Sequence, residues 1–266
     1  MLPVDAYGNV IVPYDSIKSL NPNLVSIMTA NNEIGTIEPF WEIGEFCRNN
    51  NILFHTDAVQ AFGKIPIDVK KDKIDLLSIS GHKIGAPKGV GALYIRKGVE
   101  IPSFLDGGDQ EYGLRSGTEN VASIVGFGKA AEIANQKMYS ESNRLTRMSN
   151  VLIDYVLSEI QGSELTGSKN VRIPGHCSFV FDGVEGEALQ MLMDMDGICV
   201  STGSACTTGI STPSHVLTAC GYSAEKASGM IRITLGYQNT YEDVITIFNS
   251  LEKNINRLRS IHHAVT

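Results

Sequence analysis

The feature that most restricts the fold is a rhythm in which short apolar runs of strand length alternate with segments of helical periodicity. Leu24-Val25-Ser26-Ile27-Met28 reads as a buried strand. Pro39 to Asn50 reads as a helix, with Pro39 at an N-terminal position where its missing N–H costs little. Asn51-Ile52-Leu53-Phe54-His55 is the next strand, and a short helical stretch follows near Ala58 to Phe62. Asp75 to Ser80 and Gly91 to Arg96 are further strands. Strand, helix and strand at this spacing predict a layered α/β domain.

From Glu119 to Ile160 the pattern turns helical, with Leu, Ile and Met at three- and four-residue spacings. The rhythm then changes again. Cys177 to Phe181 and Ile231 to Leu235 read as strands, Glu185 to Met195 and Tyr241 to Leu258 as helices. The expectation is a larger α/β domain over residues 1–130 and a smaller α/β domain over 131–266, joined by a long helix.

Composition narrows the function classes. With 22 Lys and Arg against 29 Asp and Glu the net charge is −7, and no dense basic block is present, which argues against nucleic-acid or membrane-surface binding. No apolar run reaches the length of about 18 residues that a bilayer span needs. Met1-Leu2-Pro3-Val4-Asp5 lacks the basic and apolar sections of a signal peptide, so a cytoplasmic location is expected. The five cysteines are odd in number and show no C-x-x-C pair, which fits neither a disulfide framework nor a zinc spacing. Cys199 and Cys220 read as core residues; Cys206 is different.

Two runs carry candidate chemistry. His55-Thr56-Asp57-Ala58-Val59-Gln60 leaves a strand with a carboxylate at its end, a position that taken alone reads equally as a helix N-cap. Ser80-Gly81-His82-Lys83-Ile84-Gly85-Ala86-Pro87-Lys88-Gly89 also follows a strand, and its glycines permit positive φ and close backbone approach to a ligand. A glycine-rich loop is weak evidence by itself. An adjacent His-Lys pair in that loop, with an aspartate at the end of the preceding strand, is more specific. A lysine amine for a Schiff base, an acid against a pyridine nitrogen, and hydroxyl or imidazole donors for a phosphate are what pyridoxal phosphate requires, at the strand ends where α/β sheets place ligands.

The chain resembles the class V, fold-type I pyridoxal-phosphate enzymes, and within them the NifS/IscS-like cysteine desulfurases. Asn31-Asn32-Glu33-Ile34-Gly35-Thr36, His55 to Gln60, Ser80 to Gly89, Arg115-Ser116-Gly117-Thr118-Glu119-Asn120 and Ser201-Thr202-Gly203-Ser204-Ala205-Cys206 are similar to that family's segments, in order and with its spacing. The resemblance implies that Lys83 holds the cofactor and then moves the substrate α-proton. It implies that Asp57 pairs with the pyridinium nitrogen, and that Gln60 and Asn32 reach the ring's phenolic oxygen, Asn32 also touching the substrate carboxylate. Ser80 and His82 would bind the phosphate. Thr118 would reach the phosphate of a neighbouring subunit, implying a homodimer. Arg232 would clamp the substrate α-carboxylate with its planar fork.

Cys206 gives the implied reaction its name. Residues 201–213 are built almost wholly from Ser, Thr, Gly and Ala, a composition that resists packing and predicts a mobile loop. A thiolate there would take sulfur from L-cysteine, leave L-alanine, and carry a persulfide to an acceptor, either an iron–sulfur scaffold or a tRNA-thiolation protein. The loop has the long form of the NifS/IscS branch.

The match also has gaps. The family's N-terminal part, with its phosphate-binding loop and the histidine that stacks on the ring, has no counterpart in this sequence. Asp106-Gly107-Gly108-Asp109 stands where three glycines are usual, and Gly236-Tyr237 where Gly-Arg is common. Two alternatives therefore stand beside the desulfurase: a non-catalytic or split fragment that keeps the dimer or scaffold surface, and another class V aminotransferase or lyase that uses Lys83 without a thiol.

Overall fold

Alternation decides which way the strands face. In β1 (Leu24–Met28) Val25 and Ile27 are buried while Leu24, Ser26 and Met28 are exposed, so one face meets a core and the other solvent. β2 (Leu53–Asp57) repeats the pattern with Phe54 and Thr56 buried. With β3 (Leu76–Ser80) and β4 (Gly91–Ile95) these strands form one sheet of order β1-β2-β3-β4. The first three strands run parallel, with Met28 beside Asp57 and Asp57 beside Ser78. β4 runs antiparallel to β3 and sets Gly91 opposite Ser80. This register lines up the C-terminal ends of the parallel strands along one edge, where open α/β sheets bind ligands.

The computed structural model describes residues 1–203 and 213–265. Helix α1 (Tyr14–Leu20) precedes β1, and α2 (Phe40–Asn49) follows it. α2 packs Phe40, Ile43 and Cys47 inward against β1 and β2. At Gly44 the helix backbone lies so near residue 72 that a Cβ would stand 2.1 Å from the Asp72 carbonyl oxygen. The strand expected over 51–55 begins later, at Leu53, and ends on Asp57. Asn51 takes a left-handed φ of 56° and the Ile52 N–H is held by the Cys47 carbonyl, which keeps both residues in the turn leaving α2. The helical stretch expected near Ala58 to Phe62 is a set of turns. Its Ala61 and Phe62 amides both return to the Ala58 carbonyl, and Gly63, at φ 76°, ends the run before a helix can propagate.

Helix α3 (Val121–Glu159) leads to a second sheet of β5 (Ser163–Leu165), β6 (His176–Phe181) and β7 (Met230–Thr234), all antiparallel in the order β5-β6-β7. Every residue of β6 is buried, as befits a central strand. Helices α4 (Gly186–Met195) and α7 (Tyr241–Val265) cover the sheet, with the short α5 (His215–Ala219) and α6 (Ala224–Ser228) between α4 and β7. Leu152, Ile153 and Val156 of α3 enter the same core as Phe179, Phe181, Leu189, Ile231 and Leu251. Burying each such side chain contributes about 1.5–3 kcal/mol.

The chain forms two compact units that are discontinuous in sequence. One comprises Tyr14–Thr29 and Pro39–Tyr139, and the other Met1–Pro13, Ala30–Glu38 and Ser140–Thr266. Among the described residues no helix is long and apolar enough to cross a membrane.

Candidate active site

In the unit built on β1–β4, the parallel strands deliver their last residues to one edge. Asp57 is the final residue of β2 and is exposed; one of its carboxylate oxygens accepts from the Val59 N–H at 2.9 Å. It thus shapes the turn that follows and caps no helix. Gln60 sits half-buried in that turn. One strand over, Ser80 ends β3, and the chain enters a single 3-10 turn, Gly81–Ile84. The Ser80 hydroxyl and His82 Nδ1 share a hydrogen bond of 2.9 Å, and Lys83 follows with an exposed side chain. The backbone packs tightly at Gly81, where a Cβ would stand 2.9 Å from Val90 Cγ1 and 3.0 Å from the Val90 carbonyl oxygen. Gly85, at φ 86°, closes the turn in the left-handed region.

Behind Asp57, on the same sheet face, a polar row crosses three strands. His55 Nδ1 lies 2.7 Å from the Ser26 hydroxyl of β1, and Nε2 lies 2.9 Å from the Ser78 hydroxyl of β3. Burial pushes the His55 pKa down against the upward pull of the Asp57 charge. His55 is thus both a hydrogen-bonded, half-buried residue and a neighbour that feels Asp57. Thr118 is exposed in the loop before α3, where the Ser116 hydroxyl donates to the Leu105 and Gly108 carbonyls and the Gly117 N–H to the Gln110 side chain.

The other unit holds Asn32 and Arg232. Arg232, on β7, donates through Nη1 to the Asn32 carbonyl at 2.8 Å. Its backbone exchanges two hydrogen bonds with Ser201, of 2.7 and 3.0 Å. The Asn31–Thr36 turn is fixed from within: Asn31 Oδ1 accepts from the Glu33 and Ile34 amides at 2.8 and 3.1 Å, and Asn31 N–H donates to the Thr36 carbonyl at 2.9 Å. Arg172 holds it from outside by donating to the Ile34 carbonyl at 2.8 Å, while burial lowers its pKa to about 10. Arg172 stands in no recognisable motif. Glu33 lies in the Asn31–Thr36 segment, where it is the one charged side chain, and that is the signal the sequence offers for it.

Cys206 lies outside the described residues. Of the other thiols, Cys47, Cys177 and Cys220 are buried, and burial raises Cys177 to about 12 and Cys47 and Cys220 to about 11, far from a neutral-pH thiolate. Cys199, expected in the core, is exposed. Val200 beside it points into the core instead, and alternation turns Cys199 outward.

An exposed amine, a carboxylate, and a hydroxyl–imidazole pair gather at the C-terminal ends of the parallel strands β2 and β3 of an α/β domain, the edge where such sheets place ligands. Comparison with known proteins agrees. The chain belongs to the aminotransferase class-V family, whose model matches residues 1–247. Enzymes of this family are pyridoxal-phosphate-dependent. The chain is 49% identical over 265 residues to a protein named cysteine desulfurase IscS from Clostridium botulinum, covering 98% of this chain and 66% of that one. It is 47% identical over 262 residues to cysteine desulfurase IscS from Methanosarcina thermophila, covering 98% and 64%. The structure of a NifS-like protein from Rickettsia africae superposes with a TM-score of 0.87 at 31% identity, covering 96% of this chain and 69% of that one, so the fold is of fold-type I. The chain spans just under two thirds of the length of the curated relatives it matches.

Proposed function

We propose that this chain acts as a pyridoxal-phosphate-dependent cysteine desulfurase, converting L-cysteine to L-alanine with the sulfur passed to Cys206 as a persulfide. The observation that carries the reading is the grouping of Asp57, Ser80, His82 and Lys83 at adjoining ends of β2 and β3. The donor set fits the cofactor: one amine for its carbonyl, one carboxylate for its ring nitrogen, and a hydroxyl with an imidazole for its phosphate. Relatives close to half identical that are named cysteine desulfurases support the same reading.

In this proposal Lys83 would hold the cofactor through its amine, and its amine would move the proton at the substrate α-carbon. Asp57 would pair with the ring nitrogen, and Gln60 and Asn32 would reach the phenolic oxygen. When bound, the cofactor supplies an electron sink that weakens bonds at the substrate. Arg232 holds the α-carboxylate in a two-pronged contact, and Asn32 assists it. The Cys206 thiolate attacks the substrate sulfur, the C–S bond breaks as the S–S bond forms, and protonation of the carbon yields L-alanine. Atoms balance without an added oxidant or reductant.

Thr118, the homodimer it implies, a cytoplasmic site of action, and a sulfur acceptor of iron–sulfur or tRNA-thiolation type belong to the same proposal. So does the division into 1–130, carrying the cofactor residues, and 131–266, carrying Cys206 and Arg232. The test is borohydride reduction of the pyridoxal-phosphate-treated chain followed by peptide mapping. The cofactor is expected on Lys83 and absent in Lys83→Ala; attachment spread over Lys88 and surface lysines would remove the reading.

A further inference from the structure

Resting on the desulfurase proposal, we infer that Glu33 is a positioning residue whose buried carboxylate ties Ser214, on the C-terminal flank of the Cys206 segment, to the turn that carries Asn32. Glu33 is only 2% exposed. A carboxylate removed from water is costly unless a donor meets it, so a position of merely structural value would favour an apolar side chain. The donor is Ser214, whose hydroxyl gives its proton to Glu33 Oε2 at 2.5 Å. The same hydroxyl oxygen accepts from the Leu217 N–H at 3.2 Å and so caps α5. On the N-terminal side, Gly203 takes a left-handed φ of 51°, and a Cβ added there would meet Oε2 only at the ordinary spacing of 3.6 Å.

Gly203 and Ser214 flank residues 204–212, which contain Cys206. The turn that carries Glu33 is itself closely packed. Gly35, two residues on, has a φ of 76° and a backbone so close to His176 that a Cβ would be 2.5 Å from its Nδ1. The adjacent Asn32 carbonyl accepts from Arg232, and Arg232 pairs in turn with Ser201. Two neighbouring residues of one turn therefore bond the proposed substrate-carboxylate arginine and Ser214, just beyond residues 204–212. Glu33 touches no substrate in this proposal; it acts through Ser214.

Iodoacetamide alkylation of Cys206 in the full chain, read by mass mapping of its peptide, reports on the segment without turnover. Buried Cys177 in the same digests reports global unfolding. Glu33→Ala and Ser214→Ala are each expected to change the Cys206 rate by about fivefold with Cys177 still protected, the scale of one lost hydrogen bond. The double variant is expected to go no further than either single. Glu33→Gln, whose amide oxygen still accepts the Ser214 hydroxyl, is expected to stay near the native rate. Native rates in both alanine variants, or effects that multiply in the double variant, overturn the inference. Where Glu33→Ala deprotects Cys177, Ser214→Ala alone decides, since it removes the same bond from a half-buried site. If the unaltered chain alkylates as described yet never carries sulfur on Cys206 after L-cysteine, the desulfurase reading fails while the positioning result stands.

Discussion

Arg232 Nη1 donates to the Asn32 carbonyl at 2.8 Å, joining residues 200 positions apart in sequence. This bond fixes one edge of a guanidinium in the middle of β7, the side chain that the proposed function sets against the substrate α-carboxylate. Arg232→Lys keeps a charge but loses the fork. The expected result is a KM for L-cysteine raised about 10- to 100-fold with a smaller fall in kcat, measured by L-alanine formation. An unchanged KM removes Arg232 from the substrate site.

His55 ties Ser26, Ser78 and the vicinity of Asp57 into one row across the sheet. Burial lowers its folded pKa below the ordinary 6.5. The unfolded ring therefore takes a proton at higher pH than the folded ring, and the stability it contributes is present above pH 6.5 and lost as pH falls through the folded value. Urea midpoints followed from about pH 7.5 to about pH 5 are expected to fall more steeply for the unaltered chain than for His55→Gln. Parallel curves contradict this role.

Glu38 shows the opposite sign. It is buried, accepts from the Val10 N–H at 2.8 Å, and is pushed up to about 7 chiefly by burial, with Asp5 adding to the rise. Its raised folded pKa means that stability is fully present below the ordinary 4.5 and is lost as pH rises through about 7. Glu38→Gln keeps an acceptor oxygen without the charge. Its melting temperature is expected above that of the unaltered chain at about pH 8, with the gap closing toward about pH 5. A lower melting temperature at both values contradicts the burial account.

The parts of the fold that were legible in sequence are those driven by apolar pattern. β1, β3, β4, β6 and β7 fall within a residue or so of their expected ends because each alternates or runs apolar between clear breaks. β5 was not legible: Ser163-Glu164-Leu165 is a strand only because it pairs with Phe179 to Phe181 of β6. α1 buries Ile17 alone and gives no periodic signal. Lys83, Asp57 and Ser80 stood out because their chemistry is local to short motifs. The Glu33–Ser214 bond did not, since it spans 181 residues and exists only through the fold. The Ser26–His55–Ser78 row likewise needs the strand register that no single segment encodes.

The most direct test of the central claim is mass mapping of Cys206 in the pyridoxal-phosphate-loaded chain after exposure to L-cysteine, with L-alanine measured in the same sample. The account predicts one added sulfur atom on the Cys206 peptide in step with L-alanine, and neither the persulfide nor sustained sulfur transfer in Cys206→Ser, which still binds the cofactor at Lys83. Sulfur transfer that persists undiminished in Cys206→Ser, or L-alanine formed with no sulfur on Cys206, would contradict it.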